Sequence, residues 1–198
     1  MKILNLYSGI GGNRTLWGNQ HEITSVELNE KIANKYKLLY PNDNIIIADA
    51  HEYLLDNYKE YDFIWSSPPC QTHSRTNHFT QSIRKRPVYP SMKLYQEIIF
   101  LQNFYKGKFC VENVISYYEP LIKPTQIGRH YLWSNFYIPK IKQPKSDIRG
   151  MNHKAGYNTA IKIPLEERNA VNSELGLHIL NTALGIIKEN KVIQNQLF

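Results

Sequence analysis

The chain has 198 residues, which is enough for one domain with a core that needs no cross-links. Its 42% hydrophobic and 21% charged residues are typical of a globular protein and exclude a disordered one. Two cysteines, Cys70 and Cys110, argue against a disulfide framework and favour a reducing compartment. The N-terminal apolar run is too short for a secretory signal, and no segment reaches the ~20 apolar residues of a membrane span. We therefore expect a cytoplasmic protein.

Basic residues outnumber acidic ones by 24 to 17, which gives a net charge of +7 and a pI near 9.3. This excess suits a polyanionic partner without requiring one. Segment 74–87 has four basic side chains and no acidic one: Arg75, Arg84, Lys85 and Arg86. The segment is either a solvated loop or an arm that contacts phosphates, and composition leaves both interpretations open.

Strands and helices alternate along the chain. Apolar runs that end at glycines, acids or a Pro-Pro turn predict strands, while spacings such as Ile32, Ala33 and Tyr36 predict helices. In chain order the predicted elements are strand 2–7, short helix 14–19, strand 22–28, helix 29–40, strand 44–50, helix 51–58, strand 61–67, helix 91–105, strand 108–114, a strand or hairpin limb 128–138 and helix 173–190. This alternation predicts an α/β fold with a mostly parallel sheet and helices on both faces.

Three predicted strand tips in the first half of the chain suit a nucleoside. Gly9, Gly11 and Gly12 allow a tight turn after the first strand, although the GxGxxG fingerprint of dinucleotide sites is missing. Glu27 ends the second strand, where it can accept hydrogen bonds from ribose hydroxyls, and Asp49 ends the third, where it can bond an adenine amino group. Taken singly, either acid could instead cap a helix. Together the tips predict a nucleoside cofactor without a pyrophosphate.

The fourth and fifth strand tips combine a thiol with an acid. Cys70 follows a Pro-Pro turn, and Glu112 lies near the end of the next strand, so a parallel sheet would project both into one cleft. This pair suits a thiolate that adds to an electron-poor ring carbon while the acid neutralises charge on the ring nitrogen. A free thiol has a pKa of about 8.5, so a positive neighbour, a helix terminus or proton transfer to the substrate must favour the thiolate. Arg129, at the following strand, could be a positive neighbour or a donor to a carbonyl.

Five segments occur in the order seen in DNA (cytosine-5)-methyltransferases: LYSGIGG, VELNE, SSPPCQTHS, VENV and RNAVNSELGLHIL. The chain resembles a compact, phage-like member of that family over most of residues 1–135 and 164–190. The Pro-Pro-Cys-Gln and Glu-Asn-Val pair is the specific part of the resemblance. It implies a Rossmann-like methyltransferase fold, S-adenosylmethionine as cofactor, and methylation of carbon 5 of a flipped-out cytosine in double-stranded DNA. The implied setting is a bacterial or phage-infected cell.

The resemblance also implies roles for individual residues. Cys70 attacks carbon 6 of the base, Glu112 protonates or hydrogen-bonds its N3 edge, and Arg129 contacts its carbonyl. The implied cofactor-binding residues are Tyr7, Ser8, Gly9, Gly11, Gly12, Glu27, Leu28, Asp49, Ala50, Pro68, Asn169 and Ala170. The implied DNA-binding residues are Gln71, Ser74, Arg75, Arg84, Lys85 and Arg86.

The chain also departs from the family pattern. The Gln-x-Arg-x-Arg motif is incomplete. Gln126 and Arg129 are present, but no residue clearly takes the place of the second arginine. Arg168 replaces the glycine expected before Asn169. We expect one catalytic domain over 1–198, in which the short insertion 137–168 replaces a large target-recognition domain. Sequence reading would then be limited, or supplied by a separate subunit or a homodimer.

Other interpretations stay open. Cytosine-5 methylation of RNA, such as tRNA, uses the same core chemistry. A catalytically silent cofactor- or DNA-binding subunit would suit the reduced recognition region, although retention of Cys70 and Glu112 argues against it. Cys70 and His73 could form half of a metal site, but no second pair of ligands follows, so no metal is predicted. Three further residues are assigned to the core: Cys110, Trp65 and Trp133.

Overall fold

The protein contains seven strands and five α-helices in the residues that the computed structural model describes, which are 1–79, 86–141, 167 and 169–187. The strands are β1 Lys2–Leu6, β2 Glu22–Glu27, β3 Asn44–Ile47, β4 Phe63–Ser66, β5 Lys108–Val114, β6 Thr125–Ile127 and β7 His130–Ser134. The helices are α1 Glu30–Leu39, α2 Ala50–Asn57, α3 Arg75–Phe79, α4 Lys93–Phe104 and α5 Ser173–Ala183, with a 3₁₀ turn at Tyr58–Glu60. None of the helices in these ranges is long and apolar enough to cross a membrane.

All seven strands form one sheet in the order β3-β2-β1-β4-β5-β7-β6. Strands β1 to β5 pair in parallel, whereas β7 pairs antiparallel to both β5 and β6. The chain moves outward from β1 to β2 and β3, then returns to place β4 on the other side of β1. This reversal opens a crevice at the carboxyl ends of β1 and β4. The predicted Rossmann-like methyltransferase fold is confirmed.

Each face of the sheet is covered by helices and carries its own hydrophobic cluster. Side chains alternate along β1, so Leu4 and Leu6 pack on one face while Ile3 packs on the other. The first cluster includes Leu54 of α2 and Ile98 of α4. The second includes residues of α5 and several strands: Leu175, Ile179, Phe63, Trp65 and Cys110. Burial of Trp65, Cys110 and Trp133 confirms that these three residues belong to the core.

Local capping explains where several helices begin and end. The side chains of Asn29, Asp49 and Asn172 each accept hydrogen bonds from backbone N–H groups at the starts of α1, α2 and α5. Helix α5 ends at Ala183 rather than at the predicted residue 190. Gly185 has a φ of 72° there, and its N–H and that of Ile186 bond the carbonyls of Thr182 and Asn181. That left-handed glycine closes the last turn of the helix.

One predicted element is absent, and two observed elements were not predicted. Residues 14–19 form turns and bends rather than a short helix, because the N–H groups of Arg14, Thr15 and Trp17 bond carbonyls three residues earlier and Gly18 has a φ of 75°. Strand β6 and helix α3 lie in segments for which no element was predicted. Most of the predicted insertion 137–168 lies outside the described residues, as do Arg84 and Lys85.

Candidate active site

A cavity of about 930 Å³ opens at the carboxyl edge of the sheet. It receives residues from the tips of β1, β2, β4 and β5 and from the segment before α5. Its lining includes the following predicted site residues: Cys70, Glu112, Arg129, Tyr7, Ser8, Gly9, Gly12, Glu27, Leu28, Asp49, Ala50, Pro68, Asn169, Ala170, Gln71, Ser74 and Arg75. Gly11 instead lies against Tyr36 and Tyr40, and Arg86 is exposed elsewhere. The cavity therefore joins both halves of the predicted site.

The glycine turn after β1 is held by the acid that ends β2. The backbone N–H of Gly9 donates to Oε2 of Glu27 over 3.0 Å, and that of Asn29 donates to Oε1 over 2.8 Å. Glu27 therefore sets the shape of the turn as well as presenting a carboxylate to the cavity. Each carboxylate oxygen can accept more than one hydrogen bond, so both remain able to receive a hydroxyl donor.

The segment before α5 packs directly on the glycine turn. A Cβ at Gly12 would lie 2.6 Å from the carbonyl oxygen of Val171 and 2.8 Å from Cβ of Ala170, which leaves no room for a side chain. This close approach brings Asn169 and Ala170 to the cavity although they are more than 150 positions from the turn. Gly12 is therefore needed for packing between distant parts of the chain.

Asp49 has two partners at the cavity wall. Its Oδ1 caps α2 by accepting the N–H groups of His51 and Glu52, while Oδ2 lies 3.6 Å from Nζ of Lys93. Burial opposes ionisation, but the two backbone donors and Lys93 hold the pKa of Asp49 below its ordinary value. The carboxylate is therefore ionised and half exposed at the cavity, and its capping role adds to the predicted one.

A buried carboxylate that was not predicted supports the same end of the cavity. Glu97 of α4 is fully buried and accepts hydrogen bonds from Tyr7 Oη (2.5 Å) and Ser66 Oγ (2.6 Å), with Nδ1 of His51 at 3.2 Å. Tyr7 has a φ of 54°, a conformation that non-glycine residues seldom adopt. The hydrogen bond with Glu97 anchors this strained residue at the start of the glycine turn. A separate hydrogen bond between His51 and Glu97 raises the pKa of His51.

Cys70 lies half-buried at the other end of the cavity. Its carbonyl accepts the N–H groups of His73 and Ser74, so the chain turns immediately after the Pro-Pro segment and leaves the thiol at the cavity wall. Burial raises the pKa of the thiol, the nearby Glu112 carboxylate raises it further, and Arg129 opposes both. The net shift is upward, so the free protein holds Cys70 as a thiol that must lose its proton to react.

Glu112 is paired with a histidine that was not predicted. The side chain of Glu112 is buried on β5, and its Oε1 lies 2.6 Å from Nδ1 of His130 on β7. In the antiparallel register Glu112 is opposite Leu132, and His130 is its diagonal neighbour on the same face. The pair depends on this register, which single-strand patterns do not reveal. The sequence signal that could have indicated this pairing is the Gly-Arg pair before His130, which suits a two-residue hairpin turn.

That hairpin turn also places Arg129. Gly128 and Arg129 connect β6 to β7, and the Arg129 carbonyl accepts the N–H of Ile115, which follows β5. Arg129 therefore stands beside the end of the strand that carries Glu112, close enough for its charge to act on Cys70. Within the described hairpin, the residue that contacts the glutamate is a histidine and not a second arginine.

The predicted DNA-binding residues adjoin the mouth of the cavity only in part. Gln71 is exposed beside Cys70, and Arg75 Nε donates to the carbonyl of Ser116 over 3.4 Å. Ser74 forms an isolated bridge with Ser116. Arg84 and Lys85 lie outside the described residues. The roles of these side chains toward DNA stay predictions.

Comparisons with known proteins show which families and structures the chain is similar to. A family model described as C-5 cytosine-specific DNA methylase matches residues 1–119. The tRNA (cytosine(38)-C(5))-methyltransferase of Spodoptera frugiperda is 34% identical over 84 residues, which cover 39% of this chain and 25% of that protein.

Two solved structures show a similar arrangement over part of their length. A crystal structure of a Spodoptera frugiperda DNMT2 mutant is 29% identical, with 57% of this chain and 35% of that chain covered and a TM-score of 0.39. A SAM-dependent methyltransferase from Agrobacterium tumefaciens is 16% identical, with 60% and 40% covered and a TM-score of 0.44. The chain thus spans between a quarter and two fifths of the length of these relatives.

Proposed function

The chain belongs to the C-5 cytosine-specific DNA methylase family, and we propose that it transfers a methyl group from S-adenosylmethionine to carbon 5 of a flipped-out cytosine in DNA. One observation carries this proposal: a single cavity joins the Cys70 thiol and the Glu112 acid to a glycine turn braced by Glu27. The first pair suits addition to a pyrimidine ring, and the turn suits a nucleoside. Their common cavity would bring a methyl donor and a base together.

The cofactor half of the cavity would hold S-adenosylmethionine by its nucleoside. Glu27 would accept hydrogen bonds from the ribose hydroxyls, Asp49 would face the adenine, and Asn169 would border the donor from the segment before α5. A Cβ built at Gly9 would meet nothing within 4 Å, so the backbone of the turn is open to a ligand at that glycine. The bound cofactor would supply an electrophilic methyl group, which is the only chemistry required of it.

The base half would activate the ring for this transfer. Cys70 loses its proton and forms a bond from Sγ to carbon 6, while Glu112 protonates or hydrogen-bonds N3 and Arg129 contacts the carbonyl oxygen. Carbon 5 would then be nucleophilic enough to accept the methyl group that the cofactor supplies. Bulk solvent would take the carbon 5 proton, which restores the double bond, breaks the bond between Sγ and carbon 6 and returns the Cys70 thiolate, while Glu112 would take back any proton given to N3. Burial raises the pKa of Cys70, and the charge on Arg129 acts in the opposite direction, toward the reactive thiolate.

Methylation of tRNA is the second candidate function. The Spodoptera relative supports it, because that protein is named a tRNA (cytosine(38)-C(5))-methyltransferase. The family that matches this chain is instead named for methylation of DNA. The base-reacting residues would be the same for both substrates. A silent binding subunit is disfavoured, because Cys70, Glu112 and Arg129 all line one cavity.

Transfer of labelled methyl groups tests these candidates. The purified chain is incubated with methyl-labelled S-adenosylmethionine and either duplex DNA or tRNA, and the products are digested to identify 5-methylcytosine. We expect label in DNA, and a covalent adduct with DNA containing 5-fluorocytosine, because fluorine cannot leave as a proton does. Label in tRNA alone would replace DNA by RNA as the substrate. Absence of an adduct with fluorinated DNA, where ordinary DNA is methylated, would reject thiol addition.

The reading of DNA by this chain would be restricted to a short sequence. The two candidate recognition segments are the basic loop 74–90 and the insertion 137–168, and a recognition module of this size covers about 600–1,000 Å². We therefore expect a target of about two to four base pairs and an affinity that falls steeply with salt, because phosphate contacts dominate. A homodimer or a separate subunit would lengthen the target. Mapping of methylated cytosines that showed six or more bases specified by this chain alone would contradict the proposal.

A further inference from the structure

His130 is a cavity residue with no role in the sequence motifs or in the proposed mechanism, and it contacts an acid that has one. Its ring lines the cavity beside Arg129, and 9% of the residue is exposed. Nδ1 lies 2.6 Å from Oε1 of Glu112, which is 5% exposed. This distance is within the range of a hydrogen bond, and both side chains that form it are buried.

We propose that His130 is the positioning residue for Glu112. Its Nδ1–H donates to Oε1 and sets the orientation of the carboxyl group, so that the other oxygen is presented to N3 of the base. This inference rests on the proposed function, because it assigns Glu112 to the ring nitrogen. His130 acts through Glu112 and does not itself touch the reacting atoms.

The strands make the pair a rigid one. Glu112 belongs to β5 and His130 to β7. The two strands pair from Cys110, opposite Ser134, to Val114, opposite His130. A glutamate has three side-chain torsions, and without a partner its carboxyl group samples several orientations in a cavity of this size. The bond to a ring mounted on the neighbouring strand removes that freedom. Misplacement of an acid by about 1 Å can cost on the order of 10² in rate, so such anchoring has a catalytic effect.

A second buried histidine shows what a purely structural imidazole looks like in this fold. His178 of α5 is also 9% exposed, but its Nε2 bonds the backbone carbonyl of Pro139, away from the cavity lining. His130 differs in its partner, which is the acid of the site rather than a backbone group. Substitutions at the two residues therefore form a matched pair for experiment. Each removes a buried imidazole, but only substitution of His130 removes a bond to Glu112.

The choice of replacement separates positioning from packing. In asparagine the side-chain amide occupies the place of Nδ1 in histidine, so His130→Asn can keep an N–H donor toward Oε1, whereas His130→Ala cannot. We expect His130→Ala to lower kcat by about 10- to 100-fold, the range for loss of one hydrogen bond to a charged group. We expect His130→Asn to recover most of that loss. Affinity for S-adenosylmethionine should stay within about twofold in both, since the nucleoside end of the cavity is unchanged.

The experiment measures kcat, KM for nucleic acid and cofactor affinity for the wild type, both His130 variants and His178→Ala, below the unfolding temperature of each variant. We expect His178→Ala to keep the wild-type kcat. Equal kcat in His130→Ala and wild type would overturn the inference. A His130→Asn variant no more active than His130→Ala would also overturn it. A fall in kcat matched by an equal fall in cofactor affinity would do the same.

A readout without substrate keeps this test separate from the proposed function. Cys110 is fully buried, so iodoacetamide should alkylate Cys70 selectively in the folded chain. The Glu112 carboxylate raises the pKa of Cys70, and loss of the His130 donor leaves that charge less compensated. We expect slower alkylation at pH 8 in His130→Ala than in wild type, with recovery in His130→Asn and no change in His178→Ala. If neither DNA nor RNA is methylated, the proposed function fails while alkylation still tests the pair. Equal alkylation in all four proteins would reject the coupling.

Discussion

The two ends of the cavity are assembled in different ways. At the cofactor end, Glu27 ends β2 and Asp49 follows β3, and each bonds backbone N–H groups within its own turn or the neighbouring one. At the base end, Glu112 meets His130 only because β7 returns antiparallel to β5. The first end depends on local turns at the edge of a parallel sheet. The second depends on the register between two strands, and its residues gain their properties from one another.

The supporting carboxylates show the same contrast. Glu97, under the cofactor end, has no exposed surface and is satisfied by hydroxyl donors from Tyr7 and Ser66, with His51 beside them. Glu112, at the base end, uses Oε1 for His130 and faces the cavity. A buried acid surrounded by donors stabilises a fold, whereas a paired acid at a cavity wall can exchange a proton with a ligand. Position in the fold thus separates a structural glutamate from the one that we propose to be catalytic.

The largest expected effect is at Cys70, and it tests whether the base end alone performs the chemistry. Cys70→Ala should lower methyl transfer by at least about 10⁴-fold, since removal of a nucleophile eliminates the covalent route. Affinity for S-adenosylmethionine should change little, because the thiol belongs to the other end of the cavity. Labelled-methyl transfer and calorimetry check the two halves of the prediction. Cys110→Ala, at a buried core thiol, is the control, and methylation at the wild-type rate in Cys70→Ala would contradict the assignment.

Glu97→Ala should destabilise the fold beneath the cofactor end of the cavity. It leaves the hydroxyls of Tyr7 and Ser66 without their acceptor in a buried environment, so the free energy of unfolding should fall by about 3–5 kcal/mol. Chemical denaturation measures this change. The exposed Glu119→Ala is the matched control and should be within about 0.5 kcal/mol of wild type. A loss no larger than that of the control would show that the network does not stabilise the fold.

Glu27→Ala should weaken the cofactor end without altering the thiol. Loss of a hydrogen bond to a charged group costs about 1.5–3 kcal/mol, which corresponds to roughly 10- to 150-fold weaker binding of S-adenosylmethionine. Calorimetry gives the dissociation constant, and the exposed Glu30→Ala, three residues away, should bind as the wild type does. Unchanged affinity in Glu27→Ala would remove this residue from the proposed cofactor site.

Arg129→Ala should produce a smaller loss that depends on pH. The positive charge of Arg129 lowers the pKa of Cys70 against burial and Glu112. Without that charge the pKa rises further, so the thiolate fraction at neutral pH falls and the rise of rate with pH moves to higher pH. We expect about a tenfold lower rate at pH 7, with partial recovery at pH 9. Arg129→Lys keeps the charge and should retain the wild-type pH profile. An unshifted profile in Arg129→Ala would show that its charge does not act on Cys70.

Sequence-based prediction succeeded where a feature depends on residues close together in the chain, and it failed where the feature depends on distant ones or on backbone geometry. The Pro-Pro-Cys turn, the glycine turn and the acids after β2 and β3 were found because each is a local pattern at the end of an apolar strand. Residues 14–19 were predicted as a helix from their side chains, which do not show that the backbone hydrogen bonds there reach back only three residues and that Gly18 is left-handed. Gly11 was grouped with the cavity residues because neighbouring glycines look equivalent in sequence, whereas it packs against Tyr36 and Tyr40.

The sequence by itself determined the α/β fold and the edge of the sheet where the site forms. Alternating strands and helices impose a mostly parallel sheet, and the carboxyl ends of parallel strands converge whatever their detailed register. Only the tertiary structure decided that His130 pairs with Glu112 and that Glu97 anchors Tyr7. These contacts join residues 18 and 90 positions apart, so they depend on strand register and on how α4 crosses the sheet. Such geometry arises from packing of the whole domain, and no local pattern of residues encodes it.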